Sequence, residues 1–165
     1  MTSHDAAGQN LGTQDVTMQG PKQKEGLHMT VPQRFGVMDG LADFEKLGFA
    51  QLVTAGDFVF VSGQTGIDKD WKVVGSDFET QARQVFENLR IALESVGSGL
   101  DQIVIMTAFF AHPGYVPVFG KIRSEVMSGV LCASTAICGV SFLLPELLLE
   151  VEVTAVRRST KEELK

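Results

Sequence analysis

Two glutamates near the C-terminal end of the chain, Glu150 and Glu152, are the residues whose type and spacing best suit chemistry. They alternate with Leu149, Val151 and Val153, as expected of a strand with one apolar face. A carboxyl group among apolar side chains is partly desolvated, which raises its pKa and allows it to act as a general acid or base. The alternative interpretation is a strand whose polar face lies in water.

A thiolate–imidazole pair formed by His112 with Cys132 or Cys138 is a second possibility. Both cysteines stand in an apolar stretch, where a thiol is usually an inert core side chain, and His112 precedes a proline, which is typical of a turn. The chain has no glycine-rich nucleotide motif, no nucleophile elbow and no HExxH zinc motif. We therefore expect no metal ion and no cofactor. Two cysteines are too few for a disulfide framework, which favours a reducing, cytoplasmic location.

One helix is clearly indicated by hydrophobic periodicity. Apolar residues recur at intervals of three and four from Phe78 to Val96, and Ser76 precedes Glu79 at the capping-box spacing. The opposite face is polar and includes Gln81, so we expect this helix to pack against a sheet on one side only.

The elements around this helix are mostly strands. The order predicts an α+β fold, a mixed sheet with two helices packed on one face. The predicted elements are a hairpin at 49–53 and 58–62, a short strand at 71–74, strands at 103–111, 134–140 and 147–156, and a weaker helix at 116–127.

Composition limits the partners and the domain count. The 165 residues carry a net charge of −6, which argues against nucleic acid or an anionic membrane as partner. Residues 126–145 carry no charge and are long enough for a membrane span, but glycines and a proline interrupt them and Glu125 and Glu146 flank them. We expect a buried loop and strand there. The predicted organisation is a flexible polar arm at 1–28, one domain at 29–158 and a frayed tail at 159–165.

Three motifs together resemble the Rid (YjgF) family of small enamine/imine deaminases. They are the strand end with Ser62-Gly63-Gln64, the helix motif Gln81-Ala82-Arg83-Gln84, and Leu144-Pro145 followed by the strand with Glu150 and Glu152. The resemblance runs from about Gly48 to Arg158. It implies a chorismate-mutase-like (bacillary type) protomer and a homotrimer with ligand sites in the clefts between subunits.

The chain departs from the family at the residues that would hold the substrate. The family's arginine, which clamps a substrate carboxylate, falls on Ala136 when counted back from Leu144-Pro145 and on Thr135 when counted back from Glu150. We take Ala136, which places the family's cysteine on Cys138, either in the cleft or as an inert thiol. The family's tyrosine and asparagine correspond to Phe49 and Phe119. These changes imply an apolar, aromatic pocket with one acid.

Two functions are compatible with this pattern. The first is a deaminase for a conjugated or cyclic enamine or imine, such as a 2-aminomuconate-like compound, in a specialised catabolic or biosynthetic pathway. There Glu150 is the general acid/base, Ser62 and the N–H of Gly63 hold substrate or water, and Phe49 and Phe119 line the pocket. The alternative is a non-catalytic trimer that binds a small apolar or aromatic metabolite or a protein partner.

Overall fold

The computed structural model describes residues 31–158, and the expectations for 1–28 and 159–165 lie outside this range. The described chain has the α+β architecture that the sequence predicts, with one six-stranded sheet in the order β1-β2-β3-β6-β4-β5. β4 and β5 are parallel and all other neighbours are antiparallel. The elements are β1 Gln33–Phe35, β2 Leu52–Ala55, β3 Phe58–Thr65, α1 Phe78–Glu94, β4 Ile103–Phe110, α2 Val116–Val126, β5 Ala133–Cys138 and β6 Leu149–Val156.

The sheet buries one face against both helices. Along β6, Leu149, Val151 and Val153 are buried in the core shared with α1 and α2, whereas Glu150 and Glu152 point to the opposite face. This alternation is the one predicted from the sequence. We call the side of the sheet opposite the helices the helix-free face.

A break in the register of β3 against β6 lies at the centre of this face. Val61 pairs with Val153, but the next pair is Gln64 with Val151, so that Ser62 and Gly63 lie in an irregularity of the ladder. Such bulges bend a strand and re-aim its side chains, and they often occur beside functional sites.

Helix α1 begins one residue later than the capping-box spacing predicts. Asp77, rather than Ser76, is the N-cap, and its Oδ1 accepts a hydrogen bond from the Thr80 N–H at 2.9 Å. The prediction for Gln81 was wrong, because this side chain is fully buried instead of facing water. Its amide can be buried because it has hydrogen-bond partners from another segment.

Helix α2 contributes mainly to the core. Phe119 is 5% exposed, stacks on Phe86 with ring centroids 5.5 Å apart, and meets Phe110 edge-on at 5.2 Å. Aromatic pairs at these separations stabilise a core beyond their buried area.

Further differences from the prediction concern strand bounds and burial. Strand β2 begins at Leu52, three residues after the predicted start, and β5, predicted to be buried, is exposed in the protomer because it is the edge strand of the sheet. The strand β1 was missed because it has three residues with one large apolar side chain, and 71–74 forms an isolated bridge between Ile67 and Val73 instead of a strand. Strand β5 ends at Cys138, two residues before the predicted end. Within residues 31–158, no helix has the length and hydropathy required to cross a bilayer.

Candidate functional site

A cavity of about 310 Å³ opens on the helix-free face, beside the bulge in β3. Four of the predicted site residues meet there: Phe49, Ser62, Gly63 and Glu150. The remaining lining residues are almost all apolar, and they are Phe44, Leu47, Thr65, Ile67, Trp71, Leu143, Leu144 and Leu147.

Glu150 is the acid of this cavity. Its half-buried side chain lies directly over Gly63, so closely that a Cβ atom on Gly63 would be 2.6 Å from Cδ of Glu150. Only glycine leaves room for the carboxyl group at this point. Burial raises the pKa of the Glu150 carboxyl above its ordinary value, and the negative charge of Glu152 raises it further. The site thus holds a carboxyl group suited to giving and taking a proton.

Ser62 connects the bulge to the segment that carries Phe49. Its Oγ donates a hydrogen bond to the Ala50 carbonyl at 2.7 Å, and its backbone N–H donates to the Gln51 carbonyl at 2.9 Å. Because the hydroxyl proton is used by Ala50, the oxygen is left to accept a hydrogen bond from a ligand or a water molecule. This geometry suits a binding role better than a nucleophilic one.

A buried glutamine pair supports the floor of the cavity. Nε2 of Gln64 donates to Oε1 of Gln51 at 3.0 Å, and the Gln51 amide donates in turn to the Ala42 carbonyl. Both side chains are buried, and the network joins β2, β3 and the segment leading to Phe44. Sequence reasoning gave these glutamines no role, although Gln64 is part of the Ser62-Gly63-Gln64 motif.

Three aromatic rings form one wall. The Phe44 ring lies 5.1 Å from that of Phe49 and 4.9 Å from that of Trp71, nearly perpendicular to the latter. Trp71 has a φ of +65°, a backbone conformation that is uncommon outside glycine and that often marks functional positions. Phe44 and Trp71 were not predicted as site residues. The feature of the sequence that could have pointed to Trp71 as a site residue is that it is the single tryptophan of the chain.

Gln81 holds the opposite wall in place. Its Nε2 donates to the Glu146 carbonyl at 2.9 Å, and its Oε1 accepts the Leu148 N–H at 3.0 Å. Helix α1 is thereby tied to the loop that presents Leu144 and Leu147 to the cavity. The buried glutamine acts as a clamp between α1 and the start of β6.

Three predicted site residues lie elsewhere. Phe119 is packed in the core between α1 and β4 and does not line the cavity, because helix α2 turns it inward. Ala136 and Cys138 are exposed on the edge strand β5, next to Ala108 and Phe110 of β4. Within one protomer they do not line the cavity.

The candidate thiolate–imidazole pair does not have the geometry of a catalytic pair. Nδ1 of His112 accepts the Gly114 N–H at 3.0 Å and thereby caps a short turn. The Cys132 thiol lies 3.5 Å from a guanidinium nitrogen of Arg123. This arrangement is the turn role that the sequence offered as the alternative. Across residues 31–158, no three histidine, cysteine, aspartate or glutamate side chains converge as a metal site would require.

Together, the fold and the cavity define a small α+β ligand-binding protomer with one half-buried acid and a bulged strand beneath it. The family model described as Endoribonuclease L-PSP matches residues 45–157. The chain therefore belongs to this family, the Rid (YjgF) family, as the motifs of the sequence indicated.

Individual relatives agree in both sequence and structure. A RutC family protein of Pyrococcus horikoshii is 30% identical over 110 residues, which cover 66% of this chain and 86% of the relative. Protein MMF1, mitochondrial, of Saccharomyces cerevisiae is 30% identical over 139 residues, covering 84% and 92%. The crystal structure of yeast Mmf1 superposes with a TM-score of 0.70 and 27% identity, over 78% of this chain and all of that one.

Proposed function

We propose that the protein hydrolyses a conjugated or cyclic enamine or imine to a carbonyl compound and ammonia, with Glu150 as general acid/base. The observation that carries the proposal is the position of Glu150, half-buried over Gly63 in an otherwise apolar cavity, with its pKa raised. A carboxyl group in such surroundings retains its proton at a higher pH and releases it where charge develops.

The proposed reaction needs one proton transfer in each direction. Protonated Glu150 gives its proton to the enamine carbon, which leaves a carboxylate beside an iminium cation. Water then attacks the iminium carbon while the carboxylate takes a proton from that water. In the resulting carbinolamine the hydroxyl proton then passes to the amino group as the C–N bond breaks. Ammonia leaves, the carbonyl compound remains, and one water is consumed for each ammonia released. Ser62 is placed to accept a hydrogen bond from the substrate nitrogen or the water.

The test is the variant Glu150→Gln, which keeps the size and hydrogen-bonding capacity of the side chain but cannot transfer the proton. We expect ammonia release to fall at least about a hundredfold, the usual contribution of a general acid/base. Glu94→Gln is the matched control, because that residue is exposed at the end of α1, on the other side of the sheet, and does not line the cavity. Full activity in Glu150→Gln would show the assignment to be wrong.

A homotrimer is part of the proposal, since the family resemblance implies one and the protomer leaves large apolar side chains uncovered. These residues lie on the helix-free face and on β5, and they are Phe58, Phe60, Ile105 and Ile137, all at least 40% exposed. Apolar patches of this kind mark interfaces. A neighbouring copy would bring Ala136 and Cys138 of its own β5 toward the cleft.

Light scattering after size exclusion tests the assembly. We expect a mass near three times 17.9 kDa, and we expect Phe60→Glu to reduce it. Val118→Glu, on an exposed position of α2 on the other side of the sheet, should leave the mass unchanged. A monomeric wild-type protein would contradict the trimer.

The alternative function, a binding protein without turnover, is favoured by one specific observation. Among the residues lining the cavity there is no arginine or lysine, whereas the family's deaminases use an arginine to hold the substrate. Binding of aromatic compounds without any ammonia release would support this alternative. RNA cleavage is disfavoured as the activity of this protein, because a net charge of −6 is unfavourable for binding a phosphate backbone. We propose a cytoplasmic location on the basis of two free thiols.

A further inference from the structure

The distribution of charge around the cavity bears on the chemical class of its ligand. Glu150 is the one ionisable residue among the twelve lining residues, and Glu152, two positions along β6, is also acidic. A ligand carboxylate placed there would meet a like charge in a partly desolvated site and would find no cation to compensate it.

The aromatic wall favours the opposite charge. Phe44, Phe49 and Trp71 all line the cavity, with neighbouring ring centroids about 5 Å apart, so they offer aromatic surface to a ligand. Cations are attracted to aromatic faces within about 6 Å, most strongly to tryptophan. An acid on one side and aromatic rings on another are the elements of a site for an organic cation.

The part of a neighbouring copy that we assign to the cleft adds no charge. We assign the second wall of the proposed trimer's cleft to β5 and its flanking loops, and residues 126–145 contain no charged residue. The volume of about 310 Å³ suits a ligand with one ring.

We infer that the cavity selects ligands in which an ammonium or iminium group is attached to an aromatic or conjugated apolar body, and that it excludes carboxylates. The cationic group lies against Glu150, and the apolar body lies against the aromatic wall and the leucines of the 143–147 loop. Where the ligand is a substrate, the inference rests on the proposed function. The substrate is then an imine or enamine without an adjacent carboxylate, of the kind produced by oxidation of a simple amine. A 2-aminomuconate-like dicarboxylate does not fit such a site.

The protein carries its own reporter for the test. Trp71 is the single tryptophan and lines the cavity, so tryptophan fluorescence reports on this site. The purified full chain is titrated with benzylamine, benzyl alcohol and benzoate, which present a cation, a neutral group and an anion on the same ring. We expect benzylamine to bind at least about tenfold more tightly than benzyl alcohol, the gain of one charge-assisted hydrogen bond, and benzoate to bind most weakly.

The variant Glu150→Gln identifies the source of the preference. It should bring the affinities for benzylamine and benzyl alcohol together, while Glu94→Gln, exposed on α1 and away from the cavity, should retain the difference. Thermal unfolding confirms that both variants are folded. The inference is overturned if benzoate binds as tightly as benzylamine, if Glu150→Gln keeps the preference, or if millimolar benzylamine leaves the fluorescence unchanged. If no enamine yields ammonia but the preference for benzylamine over benzoate remains, the proposed enzyme function is refuted and the inference about the charge of the ligand stands.

Discussion

Replacing Gln81 with methionine tests whether a buried amide holds the cavity wall in place. Gln81 is fully buried on α1 and makes hydrogen bonds to the Glu146 carbonyl at 2.9 Å, to the Gly75 carbonyl at 3.4 Å and from the Leu148 N–H at 3.0 Å. Methionine has the length of glutamine but neither donates nor accepts at these positions with comparable strength.

The expected cost follows from the two short bonds. A partly buried donor or acceptor left without its partner costs about 1–3 kcal/mol, so loss of the Leu148 and Glu146 bonds amounts to about 2–6 kcal/mol. A chain of this size loses about 3 °C in Tm for each kcal/mol, which gives a decrease of about 6–18 °C. Because the loop carries Leu144 and Leu147, we also expect KM for the substrate to rise more than kcat falls.

Thermal unfolding followed by circular dichroism at one protein concentration measures the effect, since assembly makes Tm depend on concentration. Gln33→Met is the matched control, because Gln33 is exposed on β1 and the same atoms are replaced there. We expect that control to remain within about 2 °C of the wild type. If Gln81→Met behaved like Gln33→Met, the clamp between α1 and the loop would have no energetic importance.

Three further predictions concern glycines of the fold and the Glu150 carboxyl that lies over one of them. Gly63→Ala should abolish ammonia release with the circular dichroism spectrum retained, because its Cβ would displace the Glu150 carboxyl; undiminished turnover would contradict this placement. Gly66→Ala should cost about 1–3 kcal/mol in urea unfolding, since its Cβ would lie 2.7 Å from Cβ of Gln81, whereas Gly120→Ala in α2 has no atom within 4 Å and should gain about 0.5–1 kcal/mol. Because the folded-state pKa of Glu150 is raised, its carboxyl destabilises the fold progressively as pH rises from the unfolded pKa near 4.5 through the folded one. Glu150→Gln should therefore gain stability relative to wild type as pH rises above about 4.5; a constant difference would count against the raised pKa.

The sequence predicted those parts of the site that depend on local pattern. The alternation along β6 placed Glu150 on the face opposite the core, and the Ser62-Gly63-Gln64 motif predicted Ser62 and Gly63 at the site, although the close approach of Glu150 to Gly63 was seen only in the structure. The alternation and the need for glycine at this contact follow from backbone geometry, since side chains alternate along a strand and glycine alone tolerates contact at Cβ. The motif matches also identified the family.

The errors concern side chains whose neighbours are distant in sequence. Gln81 falls on a polar stripe by periodicity, but a loop 65 residues away supplies its hydrogen-bond partners and makes burial favourable. Phe119 was placed in the pocket by correspondence with a family position, yet α2 turns it toward Phe86 and Phe110.

Composition and periodicity were thus sufficient for the fold class, whereas Glu150 and Gly63 were predicted as site residues only with the help of the family motifs, because a pattern along one strand does not show which side chains meet across the sheet. The aromatic wall of Phe44, Phe49 and Trp71 arises only when the segment before β2 and the turn after β3 fold over the same end of the sheet. The charge of the cavity also depends on the tertiary structure, because packing determines which of the chain's many charged side chains line the cavity. Among the lining residues, Glu150 is the charged one.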